Sequence, residues 1–135
     1  LIKNPTEYGT TTISTAGTLK AMSYLDFASG VNVATFTVDE LLVGGTSNAQ
    51  AYVASIDSTA GYIYYTQNSK TGYGVFQDSE TVTGQTSSHS GSLHTTANGN
   101  PEVNRSSGEI LFLENRNPIN RTATQIEDIK VIIEF

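Results

Sequence analysis

FTVDELLVGGTS, residues 36–47, and FQDSETVTGQTS, residues 76–87, align without a gap at a spacing of 40 residues. Phe36, Glu40, Gly44, Thr46 and Ser47 recur as Phe76, Glu80, Gly84, Thr86 and Ser87, and six residues beyond the match an apolar position recurs as Val53 and Leu93. Each copy reads as a strand, a glycine-bearing turn at Gly44 or Gly84, and a returning strand. The repeated glutamate, Glu40 or Glu80, is placed to accept hydrogen bonds from turn amides. Two β-hairpin units in tandem point to a small sandwich or barrel built by duplication.

Working outward, Gly61-Tyr-Ile-Tyr-Tyr-Thr66 between the copies carries the strongest strand signal in the chain. Alternation puts Tyr62 and Tyr64 on one face and Ile63 and Tyr65 on the other. Tyr52 and Ile56 extend this aromatic cluster. Asn68–Gly74 reads as a turn, and Thr83–Asn100, rich in Ser, Thr and Gly, as a mobile stretch. Upstream, Thr10–Thr15 and Thr18–Leu25 read as strands broken at Gly17. Asp26–Gly30 reads as a loop, and Val31–Thr37 alternates. Thr124 and Glu127 fit a capping box with room for one short turn. The expected fold is all-β: antiparallel sheets forming a small sandwich or barrel, with an inserted duplicated-hairpin module and no helix longer than a turn or two.

Composition agrees with strands and tight turns. Of 135 residues, 15% are charged, below the usual quarter, and Thr, Ser, Asn and Gly supply the polarity. The length suits one domain, or a domain with an insertion. No apolar run approaches the ~20 residues of a membrane span, and no signal peptide opens the chain. The start at Leu1, directly in an apolar run, reads as a fragment of a longer protein. With no cysteine, neither a disulfide framework nor thiolate chemistry is available. The net charge is −6, and between Ala21 and Asn100 only Lys70 is basic. Such a surface repels phosphate backbones, which argues against nucleic acid as a partner. The three arginines, Arg105, Arg116 and Arg121, fall within one 17-residue span, where they serve either an interface or neighbouring glutamates.

All three prolines follow asparagine, at Asn4-Pro5, Asn100-Pro101 and Asn117-Pro118. Such pairs mark turns. They divide the chain into scaffold segments 1–15 and 101–135, expected to pair in one sheet, around an inserted module at 16–100. In the last segment Ile129, Val131, Ile133 and Phe135 fall at every other position, as in a half-buried strand, and Ile132 breaks the polar set between them, so the outer face is expected to be partly covered too.

GEILFLENRNPI, residues 108–119, and QIEDIKVIIEF, residues 125–135, resemble the C-terminus of the baseplate wedge subunit of T-even-like contractile-tailed phages. That family has a GE(I/M)xYxENRxPI segment, then a QTEDI/EEI stretch and an apolar run ending in Phe. Phe112 stands where the family has Tyr, and Ile126 where it has Thr. LIKNPTEYG, residues 1–9, is similar to a strand-then-turn segment upstream of that motif. The resemblance covers the chain ends and not the middle. It implies a structural component of a virion tail baseplate, assembled in a bacterial cytoplasm. The implied partners are other wedge proteins and a second copy of the full-length subunit. Glu114, Asn115, Arg116 and Pro118 match the ENRxP segment and are the expected partner contacts, with Arg121 beside them.

No catalytic constellation stands out, and the chain is expected to be no enzyme and to need no cofactor. His89 and His94 lie in a Ser/Gly-rich hairpin, where proximity to Ser87, Ser88 and Ser90 is no evidence of a triad. There is no HxxxH pair and no calcium-type acidic loop. Gly44-Gly45-Thr46-Ser47 lacks the lysine of a phosphate loop. Asn104 and Asn120 head formal glycosylation triplets, a pattern short enough to arise by chance. The tyrosines open the alternative of a glycan-binding β module, on a phage or a surface adhesin. Sugar stacking needs two or three tyrosines on one exposed concave face, whereas core or interface use scatters or buries them.

Overall fold

The computed structural model describes residues 1–113. Six strands close a barrel: β2 (Tyr24–Phe27), β3 (Leu41–Gly44), β4 (Gln50–Asp57), β5 (Tyr62–Thr66), β6 (Thr81–Gly84) and β7 (Ser90–Gly99). Their order around the barrel is β2-β5-β4-β3-β6-β7, with every pair antiparallel. Closure leaves none of these strands with an unpaired edge. Alternate residues point inward. Leu25, Leu42, Ala51, Val53, Ile63, Val82, Leu93 and Ala97 fill the lumen, with Phe36 and Phe76 packed against them. Carrying these side chains out of water is the main force closing the barrel.

The duplication extends well beyond the matched residues. The β3–β4 ladder pairs Leu41, Leu42 and Val43 with Tyr52, Ala51 and Gln50. The β6–β7 ladder pairs Thr81, Val82 and Thr83 with Ser92, Gly91 and Ser90, the same register 40 residues on. Where the halves meet, Val43 pairs with Thr83 and Tyr24 with Tyr64, so each residue faces its own counterpart. An antiparallel pair of equivalents sits on a two-fold axis, and these two pairs mark that axis on opposite walls of the barrel. Residues 24–57, carrying β2, β3 and β4, therefore map onto 64–97, carrying β5, β6 and β7. Symmetry is looser along β2–β7 and β4–β5, where irregularities fall between Leu25 and Phe27 and between Val53 and Ser55.

The chain ends make a separate two-stranded sheet. β1 (Ile2–Lys3) pairs with β8 (Glu109–Ile110), Ile2 opposite Ile110. The Leu1 amino group donates to the Phe112 carbonyl at 2.7 Å, and isolated bridges join Thr6 to Ile13 and Glu7 to Val103. Residues 114–135 lie outside the described residues, and with them the expected Ile129–Phe135 strand and the Thr124/Glu127 cap.

Several local expectations are corrected. Thr10–Thr15 and Thr18–Leu25 are not strands. Thr18 Oγ1 accepts from the Thr15 amide at 2.9 Å and closes a local turn, so hydroxyls replace a ladder there, and the first barrel strand starts only at Tyr24. Asp26 and Phe27, expected in a loop, continue β2 because Phe27 pairs with Leu93. Within the alternating Val31–Thr37 stretch, Val33–Thr35 forms a 3₁₀ turn capped by Asn32 Oδ1, which accepts from the Ala34 amide at 3.2 Å. Thr83–Asn100 is no mobile stretch: it completes β6 and supplies β7, the longest strand among the described residues. Its small side chains fit a wall packed from inside by bulky neighbours. A carbon added at Gly91 would come 3.0 Å from Phe27 Cδ1.

Candidate functional site

Three places in the barrel concentrate chemistry. The first is a pair of buried carboxylates. Glu40 accepts from the Thr37 amide of its own strand entry at 2.6 Å. It then reaches across the axis to the Thr86 and Ser87 amides, at 3.1 and 2.9 Å, and to the Ser87 hydroxyl. Glu80 does the same in reverse, accepting from the Gln77, Thr46 and Ser47 amides at 2.7, 2.9 and 2.9 Å and from Ser47 Oγ at 2.7 Å. Each hairpin thus pins the turn of the other. Burial pushes both carboxyls up in pKa. The hydrogen bonds, led by those from Ser87 on Glu40 and from Ser47 on Glu80, outweigh it, so both stay below the ordinary glutamate value. Every carboxylate oxygen is committed, so this clamp is structural.

The clamp also gives the repeated glycines their role. Neither Gly44 nor Gly84 has a positive φ. The left-handed residues of the two turns are Asn48 and Ser88. A carbon added at Gly44 would lie 2.6 Å from Glu80 Oε1, and one at Gly84 2.6 Å from Glu40 Oε1. Glycine is needed there for space, not for torsion.

The second place is an aromatic stack on the outer wall where β2 meets β5. Tyr24 and Tyr62 stack with centroids 4.3 Å apart, and Tyr64 tilts against Tyr24 at 5.7 Å. Lys20 Nζ donates to the Tyr64 hydroxyl at 2.9 Å. The Tyr24 ring covers Gly99, where any side-chain carbon would overlap it. Tyr24 and Tyr62 stack on each other and Tyr64 is buried, so these rings are spent on their own packing.

The third is a cleft of about 240 Å³ lined by Met22, Ser23, Tyr65, Thr66, Gln67, Tyr73 and Arg105. Tyr65 sits edge-on to buried Phe76 with centroids 5.9 Å apart. Burial raises its hydroxyl pKa, while Ser23 and the charge of Arg105 pull the other way. Gln67 Nε2 donates to the Gln50 carbonyl at 2.9 Å and to the Gly74 carbonyl at 2.7 Å. That fork ties the Tyr73 loop to the barrel wall. The Tyr73 side chain itself stands in water, 74% exposed. Aromatic, hydroxyl and cationic groups thus meet in one concavity.

The remaining candidates separate. His89 packs edge-on against Phe36 with centroids 4.8 Å apart, its Nε2 buried without a partner, while His94 is exposed beside Thr95 and Thr96. Among the described residues no group of three or more His, Asp or Glu side chains is placed to hold a metal ion. Among the same residues no helix is long and apolar enough to cross a membrane. Glu114, Asn115, Arg116, Pro118 and Arg121 lie outside the described residues. Sequence reasoning missed the cleft, because Tyr73 sits in a turn and Arg105 lies far along the chain from the barrel strand it adjoins. Comparison with protein families, with curated proteins and with solved structures finds no match to this chain.

Proposed function

We propose that this chain is a non-catalytic assembly component: a rigid duplicated barrel carried on a chain-end sheet that docks onto neighbouring proteins. The observation that carries this reading is the apolar surface of the chain ends. Leu1, Ile2, Ile110, Leu111, Phe112 and Leu113 are all about half exposed or more, and an apolar hollow of about 200 Å³ lies beside them between Ile2, Pro5, Leu19, Ala21 and Val103. A contiguous apolar surface of this kind marks an interaction site. A two-residue ladder is also far too short to be stable by itself, so added pairing or packing would stabilise it. The resemblance of residues 108–119 and 125–135 to phage baseplate wedge subunits supplies the partner: other wedge proteins in a virion tail, with a second copy in the full-length subunit.

The test pairs stability with assembly. Phe112→Ser and Arg116→Ala are each melted alone, then mixed with the wedge proteins and sized by light scattering. Unchanged melting with lost assembly supports an interface. Lowered melting with normal assembly would make both residues internal braces and remove the basis of the proposal.

A further inference from the structure

We infer that the Tyr65–Tyr73–Arg105 cleft is a binding site for a carboxylate-bearing sugar. Its origin lies in the duplication. Under the 40-residue correspondence, Tyr65, Gln67 and Tyr73 are the counterparts of Leu25, Phe27 and Val33. Those three are buried in the core, at 0%, 5% and 2% exposure. Their sequence counterparts are two phenols and an amide, and all three line the cleft. The polar set has a chemistry of its own.

That chemistry selects the ligand. Arg105 brings a planar cationic fork, which matches a carboxylate bidentately, to a barrel whose own span from Ala21 to Asn100 holds Lys70 as its one basic residue. Tyr73 offers a water-exposed ring face and Tyr65 a second, half-buried ring in the same concavity, the two tyrosines that stacking on the C–H face of a pyranose requires. Gln67 has both amide hydrogens committed to backbone carbonyls, so its Oε1 is left as an acceptor for a sugar hydroxyl. Thr66 and Ser23 add hydroxyls that donate or accept. An extended acidic peptide has less to hold it, because β5 is paired on both sides and offers no edge for strand addition. The net charge of −6 argues against nucleic acid.

The experiment is an amide chemical-shift titration of the ¹⁵N-labelled chain with glucuronate, glucose, acetate and the tripeptide Gly-Glu-Gly. The expected result is saturable shifts at Tyr65, Thr66 and Gln67 with glucuronate, and binding of glucose and of acetate each weaker by about tenfold, the loss of one charged bidentate contact or of the ring. Arg105→Gln should weaken glucuronate about tenfold, with Tyr73→Ala acting in the same direction, and both variants should keep the wild-type melting temperature. Acetate binding as tightly as glucuronate would leave only an anion site and overturn the sugar assignment. Tighter binding of the tripeptide would make it a peptide site. No saturable shift at the cleft, or shifts unchanged in Arg105→Gln, would overturn the inference outright. Arg105 also lines the apolar hollow beside the chain ends, so Tyr73→Ala, which lies in the cleft alone, is the variant that separates this inference from assembly through the chain-end surface.

Discussion

The two halves of the barrel keep their clamp and exchange their filling. Glu40 with Gly44, Thr46 and Ser47 matches Glu80 with Gly84, Thr86 and Ser87 atom for atom, down to the reciprocal amide bonds across the axis. The lumen around it does not match. Leu42 corresponds to Val82, and Val53 to Leu93, so one methylene is lost at the first position and regained at the second. Ala51 corresponds to Gly91, and Phe27 to Gln67. Val31 and Phe27 fill the space that a side chain at Gly91 would need, while Gln67 is tied to the Gln50 and Gly74 carbonyls. A buried polar network tolerates little change, because any lost partner leaves orphaned amides. An apolar core accepts exchange as long as volume is kept. The contrast explains which residues repeat.

The strongest way to break this comparison is to remove one carboxylate. Glu40→Gln and Glu80→Gln each replace an acceptor oxygen with an NH₂ group facing backbone donors. Each should cost about 3 kcal/mol in urea unfolding, since hydrogen bonds to charged groups are worth ~1.5–3 kcal/mol and orphaned buried amides add to the loss. The two costs should agree within about 1 kcal/mol, and the double variant should cost less than their sum, because both fasten the same hairpin pair. Strongly unequal costs would show that the two-fold relation is geometric and not energetic.

Gly84→Ala and Gly44→Ala test the same clamp from the backbone side. The added methyl needs the volume that holds the opposing carboxylate, 2.6 Å away. A loss of about 2 kcal/mol is expected for each, within the range for overpacking. Nearly neutral melting for either variant would mean that the carboxylate can move aside, contrary to a rigid clamp.

The pH response is smaller. Both glutamates have folded pKa values below the ordinary 4.5, so their contribution is fully present above that value and is lost as pH falls through the depressed folded values. Wild-type stability should therefore fall on acidification below about pH 4.5, and Glu80→Gln should show a shallower fall there. Parallel curves for the two proteins would mean that other carboxylates carry the acid response.

How much of this was legible differs between the two parts for the same reason. The clamp showed in the sequence as a gapless repeat, and it led to β hairpins in a sandwich or barrel, of which the structure forms the closed barrel. Beyond it the trace was faint: between 88–99 and 48–59 no residue is identical and the apolar pair Val53 and Leu93 was the one recurrence read, although β7 takes the place of β4. Exposed positions were free to diverge, and buried ones compensated in pairs that a residue-by-residue match cannot see. The 3₁₀ turn at Val33–Thr35 was misread because a local Asn32 cap replaced the expected alternation, and the order of Thr83–Asn100 because strand pairing overrode local composition. The cleft was illegible for a further reason. It depends on Tyr65, Gln67 and Tyr73 differing from their buried counterparts, a contrast visible only once the axis is known.

The smallest expected effect sharpens that contrast most. Val33 and Tyr73 are counterparts by sequence, but Val33 opens a 3₁₀ turn at 2% exposure while Tyr73 lies in an irregular loop at 74% exposure. The two residues should therefore respond differently to exchange. Val33→Tyr forces a phenol into a filled core and should cost about 2–3 kcal/mol. Tyr73→Val removes a ring that touches mainly water and should stay within ~0.5 kcal/mol of wild type, as surface substitutions do. The cleft that position 73 faces sets Met22 and Tyr65 among polar Ser23, Thr66 and Gln67, so little restored stability is expected from the shorter apolar side chain. The measurement is the urea midpoint of each single variant, with the slope checked for constancy. A loss above about 1 kcal/mol for Tyr73→Val would place the ring in the packed core, and the cleft would then be one side of that packing rather than an open site.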